Sequence, residues 1–92
     1  MVERNWNCRE GELDLVVRRG TTLVFCEVKT RSGRSFGEPF EAVTRRKQTR
    51  IRRLAARWLR ERGPIVGVRA VEVRFDVASI LGRQVEVLEG AF

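Results

Sequence analysis

The first third of the chain contains two runs whose apolar positions follow the spacing of β-strands. In the first run, three apolar residues alternate with a set that includes two carboxylates: Leu13, Leu15 and Val17 with Glu12, Asp14 and Val16. This period of two predicts that Glu12 and Asp14 share one face of a strand. The second run, residues 22–26, is apolar and β-prone and leads directly into Glu27. Two neighbouring strands are therefore predicted.

Gly20 lies between these runs, and glycine readily takes the positive φ of a tight turn. The two strands would then form an antiparallel hairpin in which Asp14 lies roughly opposite Glu27, within a residue or two of register. Lys29 follows Glu27 by two residues and would point to the same face. The hairpin is therefore predicted to bring carboxylates and one ammonium group into a single patch.

The hydrophobic period changes to that of an α-helix after Thr44, a residue type that commonly caps helices. Five apolar residues fall on one helical face: Ile51, Leu54, Ala55, Trp58 and Leu59. Gly63 and Pro64 then end the pattern. We predict a helix from Thr44 to Arg62 whose apolar stripe packs on a sheet.

Further strand-like runs flank these elements. Trp6 is expected to join the core, and the additional strands are predicted over residues 2–8, 71–80 and 84–88. Residues 65–71 form a link to which the pattern assigns no structure. A chain of 92 residues is expected to fold as one domain, residues 1–92. The predicted class is α/β, with a three-strand meander, a crossover helix and one or two further strands.

Basic residues are concentrated in the predicted helix. Between residues 45 and 62 nine residues are basic and only Glu61 is acidic, so this segment carries +8 and the remainder −1 of the chain's total of +7. A local positive field of this kind is typical of proteins that bind a polyanion through phosphate contacts. The alternative is a solvated basic face in a protein that favours arginine, since 17 of the 19 basic residues are Arg.

Composition excludes several catalytic classes. The chain contains no His and no Tyr, so it cannot form a His-dependent zinc site, a Ser-His-Asp triad, an HNH-type nuclease site or a tyrosine recombinase site. Its two cysteines, Cys8 and Cys26, are expected to be reduced thiols on strands separated by a third strand. The chain has no run of 18 apolar residues and no signal-peptide pattern. We therefore expect a cytoplasmic protein without a membrane partner.

Carboxylate and metal chemistry is the main catalytic option that remains. Asp14 and Glu27 would repel each other in a partly buried patch unless a hard cation lay between them, and Mg²⁺ or Mn²⁺ binds such oxygen ligands. Lys29 could orient or deprotonate the attacking water, or offset charge on a phosphate. The alternative is a strand pair with solvent-facing charges. Spacing alone favours neither interpretation.

The spacing Asp14-x12-Glu27-x-Lys29 resembles the PD-(D/E)xK nuclease signature. A longer series of motifs resembles the YraN-like family, to which endonuclease activity is assigned by inference: Arg4-Asn5-Trp6, Gly11-Glu12-Leu13-Asp14, Leu23-Val24-Phe25, Glu27-Val28-Lys29-Thr30-Arg31, Phe36-Gly37, Ala42-Val43-Thr44 with Lys47, Arg74-Phe75-Asp76-Val77 and Ala91-Phe92. The resemblance covers nearly the whole chain. It implies a restriction-endonuclease-like mixed β-sheet similar to that of archaeal Holliday-junction resolvases.

Carried over by position, the resemblance implies that Asp14 and Glu27 are ligands of Mg²⁺ or Mn²⁺ and that Lys29 is the catalytic lysine. Glu12 belongs to the family motif without a defined role. Asp76 also matches a family motif, and we expect it to be structural rather than catalytic.

Residues of the predicted helix and of the preceding loop, 31–43, are candidates for supporting and binding roles. Lys47 and Gln48 fall inside the apolar arc of the helix, where they would contact Lys29 or a phosphate unless the helix end turns to solvent. The candidates for phosphate contacts are Arg31, Arg34, Arg46, Arg50, Arg53 and Arg57.

Members of the YraN-like family usually begin with an amphipathic helix that carries a Glu facing the site, whereas Met1 here directly precedes the first strand. We therefore expect an uncovered sheet face and a homodimer or larger assembly through that face. The expected function is metal-dependent hydrolysis of phosphodiester bonds in DNA, with branched or structured DNA as the favoured substrate. The alternatives are a non-catalytic nucleic-acid-binding module that keeps the nuclease fold and an assembly protein with negligible DNA affinity.

Overall fold

The computed structural model describes residues 1–30, 43–68 and 72–92. These residues form five strands and two helices: β1 (Glu3–Cys8), β2 (Gly11–Arg19), β3 (Thr22–Thr30), α1 (Arg45–Glu61), α2 (Gly63–Val66), β4 (Glu72–Leu81) and β5 (Gln84–Leu88). The predicted α/β class is confirmed, and the arrangement is consistent with a restriction-endonuclease-like fold. The predicted roles of Arg31 and Arg34 lie outside the described residues.

The strands form one mixed sheet in the order β1-β2-β3-β4-β5. Neighbouring strands are antiparallel except β3 and β4, which run parallel from the pair Thr22 and Glu72 to the pair Thr30 and Ile80. Parallel neighbours require a crossover connection, and the segment between β3 and β4 contains α1. The predicted meander, crossover helix and two further strands are all present.

The apolar stripe of α1 packs on one face of the sheet. Trp58 and Val16 are fully buried, and the ring of Phe25 on β3 meets the Trp58 ring edge-on with centroids 5.9 Å apart. The Trp58 indole Nε1–H donates to Glu3 Oε1 on β1 at 2.7 Å, so its polar atom is satisfied inside the core. This packing fixes the helix across β1, β2 and β3.

Both ends of α1 follow the sequence signals. The hydroxyl of Thr44 accepts a hydrogen bond from the backbone N–H of Lys47 at 3.2 Å, which makes Thr44 the N-cap. The helix gives way at Arg62 to the short helix α2, in which Pro64 lies in the first turn, and Gly67 ends α2 with φ of 71°. Sequence patterns had left most of this segment unassigned.

The strict alternation predicted for residues 12–17 is wrong. Leu13 and Val16 both belong to the core beneath α1, although residues three apart in a regular strand lie on opposite faces. Alternation therefore breaks between them, at Asp14 and Leu15. Opposite this break on β1, Asn5 has a positive φ of 51°. A regular period of two could not reveal this irregularity.

The described residues also show the state of the two cysteines. Cys8 and Cys26 are free thiols, as expected for cysteines on β1 and β3 with β2 between them. Burial, followed by the charge of Asp76, raises the pKa of the Cys26 thiol to about 11, so its reactive thiolate is suppressed. No helix in the described ranges is long and apolar enough to cross a membrane.

The sheet face turned away from α1 carries an open groove. Its apolar lining consists of Leu15, Val17, Val24 and Val87. On β5, Val85 shares the face of Val87, and the two side chains are 61% and 56% exposed. Contiguous apolar patches of this kind are uncommon on monomers.

We expect this face to join two or more copies of the chain, and light scattering at micromolar concentration tests the expectation. The measured mass should exceed the 10.6 kDa of one chain, and Val87→Glu should lower it because the introduced charge would be buried. Ile65→Glu is the matched control, since Ile65 is 70% exposed on α2. A mass of one chain for the unmodified protein would refute self-association.

Candidate functional site

The candidate site begins where β2 and β3 separate. Their paired residues extend from Arg19 with Thr22 to Leu15 with Cys26, and the next residues are Asp14 and Glu27. Here the Asp14 Oδ2 atom accepts a hydrogen bond from the backbone N–H of Val28 at 2.8 Å. A side-chain carboxylate thus takes the place of a backbone acceptor and is held at the junction of the two strands.

Glu27 and Lys29 lie beyond the junction on β3 and point to the same face. The Lys29 Nζ atom is 3.7 Å from Glu27 Oε1, and both side chains are about four-fifths buried, with 21% and 20% exposed. Burial raises the pKa of the Glu27 carboxyl, and the nearby Asp14 charge raises it further, while Lys29 and Lys47 oppose the shift. Asp14 and Glu27 are therefore close enough to repel each other.

Lys47 reaches this cluster from the first turn of α1. The neighbouring Lys29 ammonium lowers the pKa of Lys47, whereas the charge of Glu27 raises it. The structure thus brings together four of the predicted residues: Asp14, Glu27, Lys29 and Lys47. Two ammonium groups beside two carboxylates form a site that can accept a cation and an anion side by side.

Two other predicted residues lie differently. The Gln48 Nε2 atom donates to the Val43 carbonyl oxygen at 3.2 Å, so its side chain secures the entry into α1 and does not contact Lys29. Glu12 is exposed on β2 and has no ion pair among the described residues. Asp76 is structural, as expected: it accepts two hydrogen bonds from the Arg74 guanidinium, at 2.9 and 3.0 Å, and one from the Gly90 N–H at 3.0 Å.

The carboxylate pair fits a divalent cation. Within residues 1–30, 43–68 and 72–92 no group of three or more His, Cys, Asp or Glu side chains forms a metal-binding cluster. Mg²⁺ is nevertheless often held by one or two carboxylates that are completed by water and substrate phosphate. Burial, followed by the charge of Asp14, raises the pKa of Glu27 and so disfavours its anionic form, and a cation between the two carboxylates would offset that cost.

A basic groove lies along the N-terminal half of α1. Arg46, Arg50 and Arg53 line it together with Thr49 and the single carboxylate of Glu10. These arginines are exposed and fall on one helical face at spacings of four and three residues. We call this surface the arginine groove.

Arg57, another of the predicted phosphate contacts, is ion-paired on this surface. Its guanidinium forms ion pairs with Glu10, at 3.0 Å, and with Glu61. Further along, Arg62 pairs with Glu3 at 3.1 Å. Acidic residues therefore pair with two of the basic residues towards the C-terminal end of α1.

Arg4 and Asn5, which entered the sequence analysis only as part of a family motif, line an open groove next to Asp14. A second signal was chemical, because Asn is among the few residue types that tolerate positive φ. Such a residue inside a predicted strand marks a position where the regular backbone can break.

Taken together, the mixed sheet and the crossover helix define an α/β protein whose fold is consistent with the restriction-endonuclease-like class. Residues 1–80 match the model of the family described as Uncharacterised protein family UPF0102. The chain is 62% identical over 81 residues to a UPF0102 protein of Beutenbergia cavernae, an alignment that covers 88% of this chain and 65% of the relative. It is 57% identical over 97 residues to a UPF0102 protein of Frankia alni, an alignment that covers 100% of this chain and 78% of the relative.

The chain belongs to the UPF0102 family, which confirms the resemblance to the YraN-like proteins at the level of the family. A UPF0102 protein of Frankia casuarinae is 54% identical over 97 residues, with 100% of this chain and 79% of the relative covered. The chain therefore spans about two thirds to four fifths of the length of these relatives.

The raised pKa of Glu27 predicts a pH-dependent stability difference. A carboxyl whose pKa is higher in the folded than in the unfolded state is most favourable when protonated, so its contribution is full at low pH and is lost as pH rises through the folded-state pKa. In metal-free buffer, Glu27→Gln should therefore raise the melting temperature at pH 7 relative to the unmodified protein. The difference should shrink towards pH 3.5.

Thermal unfolding followed by circular dichroism between pH 3.5 and pH 7 measures the effect. Glu86→Gln serves as the control, because Glu86 is exposed on β5. A melting-temperature difference for Glu27→Gln that stays constant with pH would contradict the assigned environment.

Proposed function

We propose that the protein is a metal-dependent endonuclease that hydrolyses phosphodiester bonds in DNA. The observation that carries the proposal is the meeting of Asp14, Glu27, Lys29 and Lys47 at one end of the arginine groove. Carboxylates provide oxygen ligands for a hard cation, and lysines balance the charge of phosphate. Membership of UPF0102 sets the family but does not decide the activity.

Asp14 and Glu27 are the residues that would hold Mg²⁺ or Mn²⁺. When bound, such an ion polarises the phosphate and lowers the pKa of a coordinated water. The hydrogen bond from Val28 limits the motion of the Asp14 carboxylate, so one ligand is fixed before the ion arrives. The second ligand, Glu27, lies on the adjoining strand and is steadied by the Lys29 ammonium.

Lys29 is placed to orient the attacking water or to offset charge that develops on the phosphate. It is fixed on β3, directly beside Glu27. Lys47 approaches from α1 and is the second cation at the site, where it can contact a neighbouring phosphate oxygen. Under this proposal, Lys47 would act on the phosphate, and Lys29 would act either on the attacking water or on the phosphate.

The arginine groove would supply affinity for the DNA backbone. Arg46, Arg50 and Arg53 can contact phosphates without reading bases, so the proposed substrate is selected by shape, with branched or structured DNA favoured. At this position on α1, the groove would lead a phosphate backbone towards Lys47. This geometry connects binding to the proposed cleavage site.

Removal of the groove charges should weaken DNA binding and its salt dependence. The triple variant Arg46→Gln, Arg50→Gln, Arg53→Gln should bind duplex and branched DNA more weakly, and the slope of log K against log salt should flatten by about 0.9 for each lost phosphate contact. The matched control replaces Arg18, Arg19 and Arg83 with Gln. These three residues are exposed outside the arginine groove, and the net charge is the same in both variants. Equal slopes in the two variants would exclude the groove as the binding surface.

Loss of the site residues should abolish cleavage without abolishing DNA binding. Asp14→Asn and Glu27→Gln should each reduce Mn²⁺-dependent nicking of branched DNA by roughly a hundredfold or more. Lys29→Ala should lose turnover while retaining Mn²⁺ binding in calorimetry, because lysine is not a ligand. Glu72→Gln provides a carboxylate control on an exposed strand end. Nicking that persists in all three site variants would assign the activity to another source.

A non-catalytic nucleic-acid-binding module is the second candidate. Its support is that the described residues present a two-carboxylate site and no cluster of three metal-binding side chains. Calorimetry separates the two functions: DNA affinity that depends on the arginine groove, together with no Mn²⁺ binding by the unmodified protein, would favour the module.

A further inference from the structure

The backbone of Asn5 has a conformation that is unusual for a residue inside a β-strand. Among the described residues it is the one non-glycine residue with positive φ, at 51°, whereas the glycines with φ between 58° and 71° lie in turns or at the end of a helix. Asn5 lies inside β1, where an extended backbone is the norm. A left-handed backbone conformation in such a position costs free energy, so it indicates a local constraint that the surrounding structure imposes.

The constraint lies directly opposite the candidate metal ligand. Arg4 pairs with Leu15 and Trp6 pairs with Leu13, so Asn5 and Asp14 occupy the rung between these pairs. Arg4 and Asn5, as well as Asp14 and Leu15, line the same groove next to Val28 and Ile80. At this rung, two consecutive residues of β1 and two consecutive residues of β2 therefore lie on the same face of the sheet, whereas consecutive residues of a regular strand alternate between faces.

The break in alternation allows residues on both sides of the Asn5–Asp14 rung to pack into the core. It allows Leu13 and Val16 to face α1 together, with 3% and 0% of their surfaces exposed. On β1 it allows both Glu3, which accepts a hydrogen bond from Trp58, and Trp6 to approach the same core. A regular strand would turn one member of each pair away from α1.

We propose that Asn5 is a positioning residue for Asp14. Its left-handed backbone sets the rung at which β2 departs from regular pairing, and this departure places the Asp14 carboxylate at the junction with β3, where it accepts the Val28 N–H. Asparagine suits the position because it tolerates positive φ, whereas a β-branched residue does not. The link to metal binding rests on the proposed function; the link to the Val28 hydrogen bond does not.

Two substitutions separate the backbone role of Asn5 from its side chain. Asn5→Gly keeps access to positive φ and should leave the Val28 amide resonance and the Mn²⁺ affinity within twofold of the unmodified protein. Asn5→Val favours a regular strand and should shift the Val28 amide upfield, speed its hydrogen exchange at least tenfold and weaken Mn²⁺ binding about tenfold. Asn5→Ala, a milder change in the same direction, replaces Asn5→Val if that protein does not fold.

Gly82→Ala is the control for general strain, because Gly82 has a φ of 58° in the turn between β4 and β5 and open space around a Cβ atom. It should lower the melting temperature without moving the Val28 amide. An unchanged Val28 amide in Asn5→Val or Asn5→Ala would overturn the proposal, as would a loss in Asn5→Gly equal to that in Asn5→Val. If the unmodified protein binds no Mn²⁺, the proposed function loses its cation, while the amide measurements still decide the positioning role.

Discussion

The structure depends on the burial of the apolar stripe of α1 against the first three strands. Trp58 and Leu54 are almost completely enclosed, and the contact of Trp58 with Phe25 joins the C-terminal part of the helix to the middle of β3. Full burial of side chains of this size contributes about 1.5–3 kcal/mol each, which far exceeds what an exposed ion pair of α1 supplies. Packing, rather than surface charge, therefore sets the position of the helix.

That position determines where the chemistry falls. The chain leaves β3 at Thr30, enters α1 at Arg45 and returns to β4, which runs parallel to β3. The helix must therefore begin near the end of β3 where Glu27 and Lys29 lie, and Lys47 in its first turn approaches them. Side chains of β3 and α1 therefore meet because the crossover that contains α1 carries the chain back along the sheet to β4.

Much of this arrangement follows from sequence periodicity. The predicted helix 44–62 and the predicted strand 84–88 correspond to α1 (Arg45–Glu61) and β5 (Gln84–Leu88), because local hydrophobic spacing and the Thr44 cap are properties of contiguous residues. The proximity of Asp14 and Glu27 was predictable for the same reason, since a hairpin relates its two strands by simple register.

Features that the sequence did not reveal arise where distant residues or unusual backbone angles decide the outcome. Arg57 pairs with Glu10, 47 residues away, and no local pattern joins these two residues. The break in alternation at Asp14 depends on the rung it shares with Asn5, which belongs to a different strand. Gln48 was placed correctly on the inner arc of α1, but a nearby carbonyl oxygen of Val43 takes its amide. Hydrophobic periodicity predicts the face on which a side chain lies, but it does not identify the group to which that side chain binds.

The electrostatics of the cluster give the strongest physical argument for a ligand at this place. The pKa of Glu27 is raised, chiefly by burial and by Asp14, while the pKa of Lys47 is lowered, chiefly by Lys29. Each shift opposes the charged form of its own group, so the fold places like charges together on both sides of the site. A divalent cation would relieve the carboxylates and a phosphate would relieve the lysines, because each brings the opposite charge. Binding of both in the same place would balance the charges of the cluster more completely than either alone, and this combination is what the proposed metal-dependent hydrolysis of a phosphodiester would use.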